Sequence, residues 1–346
     1  MVDTHVAASR IVARLVELVG TLARHPQARL ATPFLECGLE CLVTIVWSEP
    51  STELPPPLRS WLAPRPPPPP AEEAEEQEKE EEAGGNGVLA ALLGAHVPDS
   101  VRLGAMELLS LLLRDETAFD AFTTPAARSA SASAAGRTLS AAQCVALALS
   151  SKRMHHQHPL SEASDARVNG LAARAPWLRT RRGGGGGAAT PSFSSAAAKP
   201  PLEAASSSSS SPAYAALRLF SSLVASHAHA AERLLSPSLD LKLGERLVAT
   251  LQAHVHSLLR ARGGSARGGS APRHHEELGM VRESVLLLLE LARAPCGIIQ
   301  RELGHGMWGA DLTSATLQLV RGEVHAELAD LSAPAKLLQN TIVSVP

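Results

Sequence analysis

Histidine is the residue type whose spacing most directly suggests chemistry in this chain. Many histidines stand close together, where two imidazoles could share one metal ion. The clusters are His155, His156 and His158; His227 and His229; His254 and His256; and His274 and His275. A structural zinc site needs four ligands, often including paired cysteines, and no cysteine pair lies near any of these clusters in the sequence. We therefore interpret them as surface and linker histidines, keep metal binding as the alternative, and expect no cofactor.

The four cysteines could also carry chemistry. Cys37, Cys41, Cys144 and Cys296 lie in apolar segments and are too sparse for a disulfide framework. This indicates reduced thiols in an intracellular protein. Cys37 and Cys41 stand one helical turn apart if no corner forms at Gly38, and they could then share a metal or respond to oxidants. We interpret them instead as buried thiols that act as small apolar residues.

Motifs typical of catalysis are absent from the sequence. It contains no Gly-x-Ser-x-Gly elbow, no phosphate loop ending in Gly-Lys-Ser/Thr and no His-Glu-x-x-His pair. Glu276 and Glu277 stand at a predicted helix start, where the helix dipole favours anions. We interpret this acidic pair in that way and expect that the chain is not an enzyme.

Two arginine-rich stretches suggest contact with RNA. Arg262 and Arg267 each precede two glycines, and Arg179, Arg181 and Arg182 form a short basic run. Such segments bind nucleic acid through charge and stacking, although no aromatic residues are interleaved here. The formal net charge of −2 provides no global basic field. We interpret the Arg-Gly-Gly segments as flexible spacers and keep an RNA-associated protein as the alternative function.

The element on which the chain is organised is a helix at residues 99–114. Its apolar face holds five residues at helical spacing: Val101, Ala105, Leu108, Leu109 and Leu112. Arg102, Ser110 and Arg114 mark the opposite face, while Leu111 and Leu113 widen the apolar surface so that neighbours are expected on both flanks. Residues 280–293 overlay this helix, with Leu289 on Leu109 and Arg282 on Arg102. The overlay predicts that Leu109 and Leu289 occupy equivalent core positions.

Further helices follow from the same periodicity. Helices are predicted at residues 4–24, 86–96, 139–151, 213–235, 239–260 and 276–293, and two more in the last 40 residues. The first helix is predicted to bury one face, made of Ile11, Leu15, Leu18, Val19 and Leu22. Between residues 28 and 47 we expect a short helix, a turn at Gly38 and a second helix. Because aromatics form only 3% of the chain, Leu, Val and Ala must build the core, and this favours an all-α fold.

Two insertions divide the predicted helices. Residues 55–86 are proline-rich and then acidic, and residues 154–212 are rich in Gly, Ala and Ser. Such compositions cannot bury enough apolar area to fold, so both insertions are predicted to be disordered. The predicted organisation is a helical repeat at 1–54, the first insertion at 55–86, helices at 87–153, the second insertion at 154–212 and a helical block at 213–346. We expect damage to one helical block to spread only weakly across the second insertion.

The order of short helix, turn, middle helix and long helix resembles the armadillo repeat, a three-helix unit of roughly 40 residues. GVLAALLGAHVPDSVRLGAMELLSLLL at 87–113 is similar to the family's second and third helices. CGIIQRELGHG at 296–306, GADLTSATLQLV at 309–320 and the last helix resemble a complete repeat, and ARLATPFLECG with LECLVTIVW at 28–47 resembles first and second helices. The resemblance implies an armadillo-like α-solenoid interrupted by disordered insertions.

A protein of this family is expected to be a non-catalytic scaffold that binds one or more protein partners along its helices. The regularly placed Asn and Trp of its peptide-binding members are absent, so the resemblance does not imply binding of nuclear signals. The candidate partner-binding residues on the two best third helices are Arg102, Glu107, Arg114, Arg282, Glu283, Glu290 and Arg293. With no apolar run long enough to cross a bilayer, we expect no membrane and a cytoplasmic or nuclear location.

Overall fold

Helices form all the regular structure in the described part of the computed structural model. The structure describes residues 2–25, 28–48, 58, 61, 86–124, 139–150, 210–263, 271–304 and 307–343. The helices are α1 (Val2–Arg24), α2 (Thr32–Ser48), α3 (Asn86–Leu93), α4 (Asp99–Leu112), α5 (Glu116–Thr123), α6 (Ala141–Ser150), α7 (Pro212–Ser226), α8 (Ala230–Leu234), α9 (Leu243–Gly263), α10 (Ala271–Arg293), α11 (Ile298–Gly304), α12 (Met307–Val320) and α13 (Ser332–Val343), with 3-10 helices at Ala28–Ala31 and Ala326–Leu331. The prediction of an all-α fold is confirmed for these residues.

The long helices pack in two rows. In the first row, α1, α3, α6, α9 and α12 each pack on the next, and in the second row α2, α4, α7, α10 and α13 do the same. Each first-row helix also packs on the second-row helix that follows it in the chain. The short helices α5, α8 and α11 each connect one such pair to the next. The second row therefore has helices from both halves of the sequence as direct neighbours.

One continuous apolar core runs through both rows, from Val12 of α1 to Ile342 of α13. The predicted face of α4 is fully buried, and Leu111 and Leu113 are buried as well, which confirms that neighbours cover this helix on both flanks. Leu109 and Leu289 are both buried, in α4 and α10 of the second row. Residues 1–150 and 210–346 form one compact unit, so the helices on either side of the second insertion share a core.

The predicted buried face of α1 is correct in part. Val19 is buried as predicted, and Leu15 and Leu22 are partly buried against the core. The prediction is wrong for Ile11 and Leu18, which are more than half exposed, while Val12, Val16 and Ala23 are buried. The helix carries two apolar stripes, each with helical spacing, and the sequence does not distinguish between them. The valine stripe is the one that α2 and α3 cover, since both of these helices pack on α1.

The predicted corner at Gly38 is also wrong, because α2 continues through it. A Cβ at residue 38 would lie only 2.6 Å from a methyl group of Val19. Gly38 is thus a point of close approach between α1 and α2 and does not end a helix. One continuous helix from Thr32 to Ser48 results.

The predicted helix at 213–235 is two helices. The first, α7, ends at Ser226, and the short α8 begins at Ala230.

The interpretation of Glu276 and Glu277 as acids at a helix start does not hold. Helix α10 begins at Ala271, so both residues lie in its second turn, away from the positive end of the helix dipole. Glu276 accepts hydrogen bonds from the backbone N–H and hydroxyl of Ser211, the residue that caps α7, and Glu277 accepts one from Ser257 of α9. Both carboxylates therefore join neighbouring helices.

The insertions lie almost entirely outside the described residues. In the first insertion Leu58 and Trp61 are described together with Asn86, and both Leu58 and Trp61 are buried in the core. The second insertion is described only from Ser210 onward, at the start of α7. The predicted disorder and domain boundaries stay predictions.

Candidate partner-binding surface

The seven candidate residues belong to two segments of the second row that are not neighbours. Arg102, Glu107 and Arg114 belong to α4 and the turn after it, and the other four belong to α10. Helix α7 packs on both α4 and α10 and lies between them. The candidates thus form two groups, and residues of α7 must connect them if a partner contacts both.

Arg102 does not belong to an exposed surface. Its side chain is about 5% exposed, and one guanidinium nitrogen donates to Asp99 at 3.1 Å. The prediction that it marks the exposed face of α4 is wrong. The positive charge of Arg102 acts on the buried thiol of Cys144 in the first-row helix α6. Arg282, which overlays Arg102, is about 45% exposed. The overlay of residues 280–293 on α4 is therefore correct for the core pair Leu109 and Leu289, which are both buried, but not for the pair Arg102 and Arg282, which differ in exposure.

The other two candidates near α4 are exposed. Glu107 lies in the third turn of α4, and Arg114 lies just beyond the end of the helix. The guanidinium of Arg114 stands 5.3 Å from the ring centroid of Trp47, the partly exposed aromatic residue near the end of α2. A cation over an indole face is a favourable contact of about 0.5–1 kcal/mol at an exposed site. This pair places a flat apolar ring and a fixed positive charge side by side on the surface.

Arg282 is held by the structure that follows α12. Its Nη2 donates to both carboxylate oxygens of Asp330 at 2.9 Å and to the backbone carbonyl of Glu327 at 3.1 Å. Both acceptors lie in the second 3-10 helix, which packs on α10 and α13. Arg282 therefore links α10 to the 3-10 helix that precedes α13.

The remaining α10 candidates surround an apolar residue that the sequence analysis did not select. Glu283 is half-buried, and Glu290 and Arg293 are exposed and form an ion pair at 2.8 Å. Leu286 is partly exposed and is spaced three and four residues from Glu283 and Glu290, so it lies on the same face of the helix. The exposed strip of α10 combines charged groups with one large aliphatic side chain.

Helix α7 contributes two residues that were not predicted, the exposed Arg218 and the partly buried Tyr214. The Arg218 guanidinium lies 6.0 Å from the centroid of the Tyr214 ring. A Cβ on Gly279 of α10 would lie 2.9 Å from the Tyr214 hydroxyl oxygen, so this ring reaches the neighbouring helix. The four-residue spacing of an aromatic and a cation was a usable signal in the sequence. Together with Arg114 and Trp47, these residues give the second row two cation–aromatic pairs.

The cysteines differ in exposure. Cys37 and Cys41 are exposed on α2, so their interpretation as buried thiols is wrong, whereas Cys144 is buried in α6. Burial raises the pKa of the Cys144 thiol to about 11, and the charge of Arg102 acts in the opposite direction. Although Cys41 is exposed, nearby protein atoms desolvate its thiol slightly, and this, with its neighbour Cys37, raises the pKa of Cys41. All four cysteines are free.

The histidines take several roles. His229, His256 and His275 are exposed, as predicted, but His254 is buried in α9. Nε2 of His274 lies 3.1 Å from Nε2 of His325, and Nδ1 of His325 accepts from the Glu327 N–H at 3.2 Å. That acceptor role assigns the proton of neutral His325 to Nε2, which then donates to His274. Among the described residues no three His, Cys, Asp or Glu side chains converge where a metal could be held, and His155, His156 and His158 lie outside them.

One arginine of the two arginine-rich stretches on which the RNA alternative rests is described. Arg262, at the end of α9, donates to the backbone carbonyl of Glu323 at 2.5 Å. Arg179, Arg181, Arg182 and Arg267 lie outside the described residues.

Within the part of the chain that the structure describes, every helix is too short or too polar to span a membrane. Comparison with known protein families, curated proteins and solved structures gave no significant match.

Proposed function

We propose that this chain is a non-catalytic scaffold with an armadillo-like α-solenoid fold, and that it binds a protein partner along the second row of helices. The proposal rests chiefly on the order of the elements. A short helix precedes each of the last three long pairs: α5 before α6 and α7, α8 before α9 and α10, and α11 before α12 and α13. This is the three-helix order of the armadillo repeat, repeated with the same packing.

The accessible side chains of the second row support a protein ligand. Trp47 and Leu286 are exposed and Tyr214 is partly buried, and Arg114 and Arg218 lie beside the two aromatic rings. Aromatic residues and arginine are enriched where proteins bind each other, because they combine a large apolar area with fixed polar groups. With four free thiols, we assign the chain to the reducing cytoplasm or nucleus.

The test is affinity purification of the full chain from cells, followed by identification of the bound partners. The variant carries Arg114→Glu and Arg218→Glu, and the matched control carries Arg260→Glu, an exposed arginine on first-row helix α9. We expect the double variant to lose the partners that the wild-type chain and the control retain. Equal capture by all three chains would contradict binding along the second row.

The same experiment separates the RNA alternative. A parallel purification after RNase treatment should leave the partners bound if the contact is with protein. Recovery that depends on intact RNA, and that falls steeply as salt rises, would instead support an RNA-associated protein.

A further inference from the structure

We infer that the outer face of α1 and α2 is a self-association surface on which a second copy of this chain docks by a two-fold axis. We call this surface the α1–α2 end face and define it by Ile11, Leu18, Leu30 and Phe34. It is distinct from the exposed strip along the second row proposed above to bind a protein partner.

The α1 part of the end face is the stripe that sequence analysis predicted to be buried. Ile11 and Leu18 are spaced seven residues apart and are more than half exposed, while the stripe headed by Val12 and Val16 packs against the neighbouring helices. Leu15 and Leu22, which belong to the same stripe as Ile11 and Leu18, are partly buried against the core. The apolar surface of α1 is therefore wider than the area its neighbours cover, and Ile11 and Leu18 are the part that the described chain leaves exposed.

The α2 part of the end face points away from the rest of the second row. A Cβ on Gly104 of α4 would lie 3.4 Å from Leu39, so the Leu39 side of α2 is the side that meets α4. At 3.6 residues per turn, Phe34, Cys37 and Cys41 lie on the opposite side of the helix. All three are exposed, and Leu30 precedes them in the adjoining 3-10 helix. The exposed apolar groups of α1 and α2 are thus adjacent at one end of the two rows.

The other end of the rows does not offer a matching surface. Among the large apolar side chains of α12 and α13 that the structure describes, the exposed ones are Leu317 and Leu337, at 36% and 43%, and Lys336 and Asn340 are exposed near them. Head-to-tail association would need two complementary ends and would produce open filaments. Among the described side chains the larger apolar face lies at the α1–α2 end, which is suited to pairing with its own copy, and such a pair is closed.

The charges at the edges of the end face are self-complementary. Arg10 and Arg14 are exposed along the edge of α1 that lies away from α2. Glu17 is exposed on the same edge and pairs with Arg14 at 2.7 Å, so these three side chains together leave that edge with one net positive charge. Glu36 and Glu40 are exposed along the edge of α2 that lies away from α1. A two-fold axis parallel to the helices places α1 of each copy over α2 of the other. The basic edge of each copy then meets the acidic edge of the other, so two such contacts form in the dimer. These contacts favour this arrangement over one in which α1 packs on α1.

The experiment is sedimentation of the full chain over a wide concentration range. We expect a concentration-dependent species of twice the monomer mass. Leu18→Glu with Phe34→Glu should weaken dimerisation by about tenfold or more, because it places charges in an apolar contact. The matched control, Leu317→Glu with Leu337→Glu at the other end of the rows, should dimerise as the wild type does. Circular dichroism of both variants checks that the exposed substitutions leave the helices intact.

A charge exchange tests the two-fold arrangement itself. Arg14→Glu and Glu40→Arg should each weaken the dimer, and the chain that carries both should regain it, because each copy then supplies both exchanged partners. Cys37 and Cys41 provide a native reporter, since their alkylation should slow as the dimer forms. A chain that stays monomeric at high concentration, a dimer insensitive to the end-face variant, or a double charge exchange that fails to restore association would each overturn the proposal.

Discussion

The ring of His227 stacks on the ring of Phe119, with centroids 4.3 Å apart and planes within 7°. The same imidazole has its Nε2 2.7 Å from the backbone carbonyl oxygen of Leu113, to which it donates. Phe119 and Leu113 lie before the second insertion, and His227 follows α7. Beside this contact, Arg233 of α8 forms an ion pair with Asp120 of α5 and lies 5.6 Å from the Phe119 ring. One histidine thus joins segments that are more than 100 residues apart.

We expect His227→Ala to reduce the free energy of unfolding by about 1–3 kcal/mol, because it removes the stacked ring and leaves a partly buried carbonyl without its donor. Urea denaturation followed by circular dichroism measures this change. His229→Ala is the matched control, since the side chain of His229 is about 75% exposed. A loss no larger than that of the control would mean that the His227 contact contributes little to stability.

The continuous core changes the expectation for the two equivalent leucines. Leu109→Ala and Leu289→Ala should each destabilise the chain by about 2–5 kcal/mol, since each leaves a cavity at a buried position. Because α4 packs directly on α7, hydrogen exchange should show loss of protection in α7 as well as in α4 after Leu109→Ala. The prediction from the sequence was instead that damage to one helical block would spread only weakly across the second insertion. Leu286→Ala, at a partly exposed site on α10, is the control; protection lost in α4 alone would restore the view of two separate blocks.

Cys144 should be nearly unreactive in the folded chain. A thiol pKa of about 11 in place of 9.0 lowers the thiolate fraction near pH 8 about a hundredfold, and burial shields the sulfur as well. Mass spectrometry after brief alkylation of a dilute sample should find Cys37 and Cys41 modified and Cys144 intact. The urea-unfolded chain, in which all thiols react, is the control. Rapid native labelling of Cys144 would show that α6 opens readily.

Glu302→Gln should stabilise the chain at neutral pH. Burial, and secondarily the negative charge of Glu245, raises the pKa of the Glu302 carboxyl above its usual 4.5. The unfolded chain therefore loses this proton at a lower pH than the folded chain, so stability falls as the pH rises through the folded pKa. Because the Glu302 side chain is only partly shielded and much of its surface contacts solvent, the gain should be only about 0.2–1 kcal/mol at pH 7.

The pH dependence of the Glu302→Gln effect is its own control. At pH 4, below the unfolded pKa, the variant and the wild type should melt alike. Glu245→Gln should recover a smaller part of the gain at pH 7, because its charge is the lesser cause. A gain from Glu302→Gln that is equal at both pH values would show that packing, and not charge, is responsible.

The helices themselves could be predicted from the sequence because their signals are local. The period of Val101, Ala105, Leu108 and Leu112 predicted the buried face of α4, and the overlay on residues 280–293 correctly placed Leu109 and Leu289 in the core. Of the candidate surface, Glu107, Arg114, Glu290 and Arg293 are exposed as expected. Their partners could not be predicted: Trp47 lies 67 positions from Arg114 in the sequence, and no local pattern links the two.

By itself the sequence determined the all-α class and the central helices, because helix formation and amphipathic spacing act over a few turns. Tertiary structure decided which residues of α1 are covered, that Arg102 is buried while Arg282 is exposed, and that α7 ends at Ser226, just before His227. These outcomes involve neighbours distant in sequence. Helices α2 and α3 cover the valines, the charge of Arg102 acts on Cys144 of α6, and the carbonyl of Leu113 with the ring of Phe119 holds His227 outside the helix. Burial is decided by packing between elements, and the amphipathic period of one helix does not contain that information.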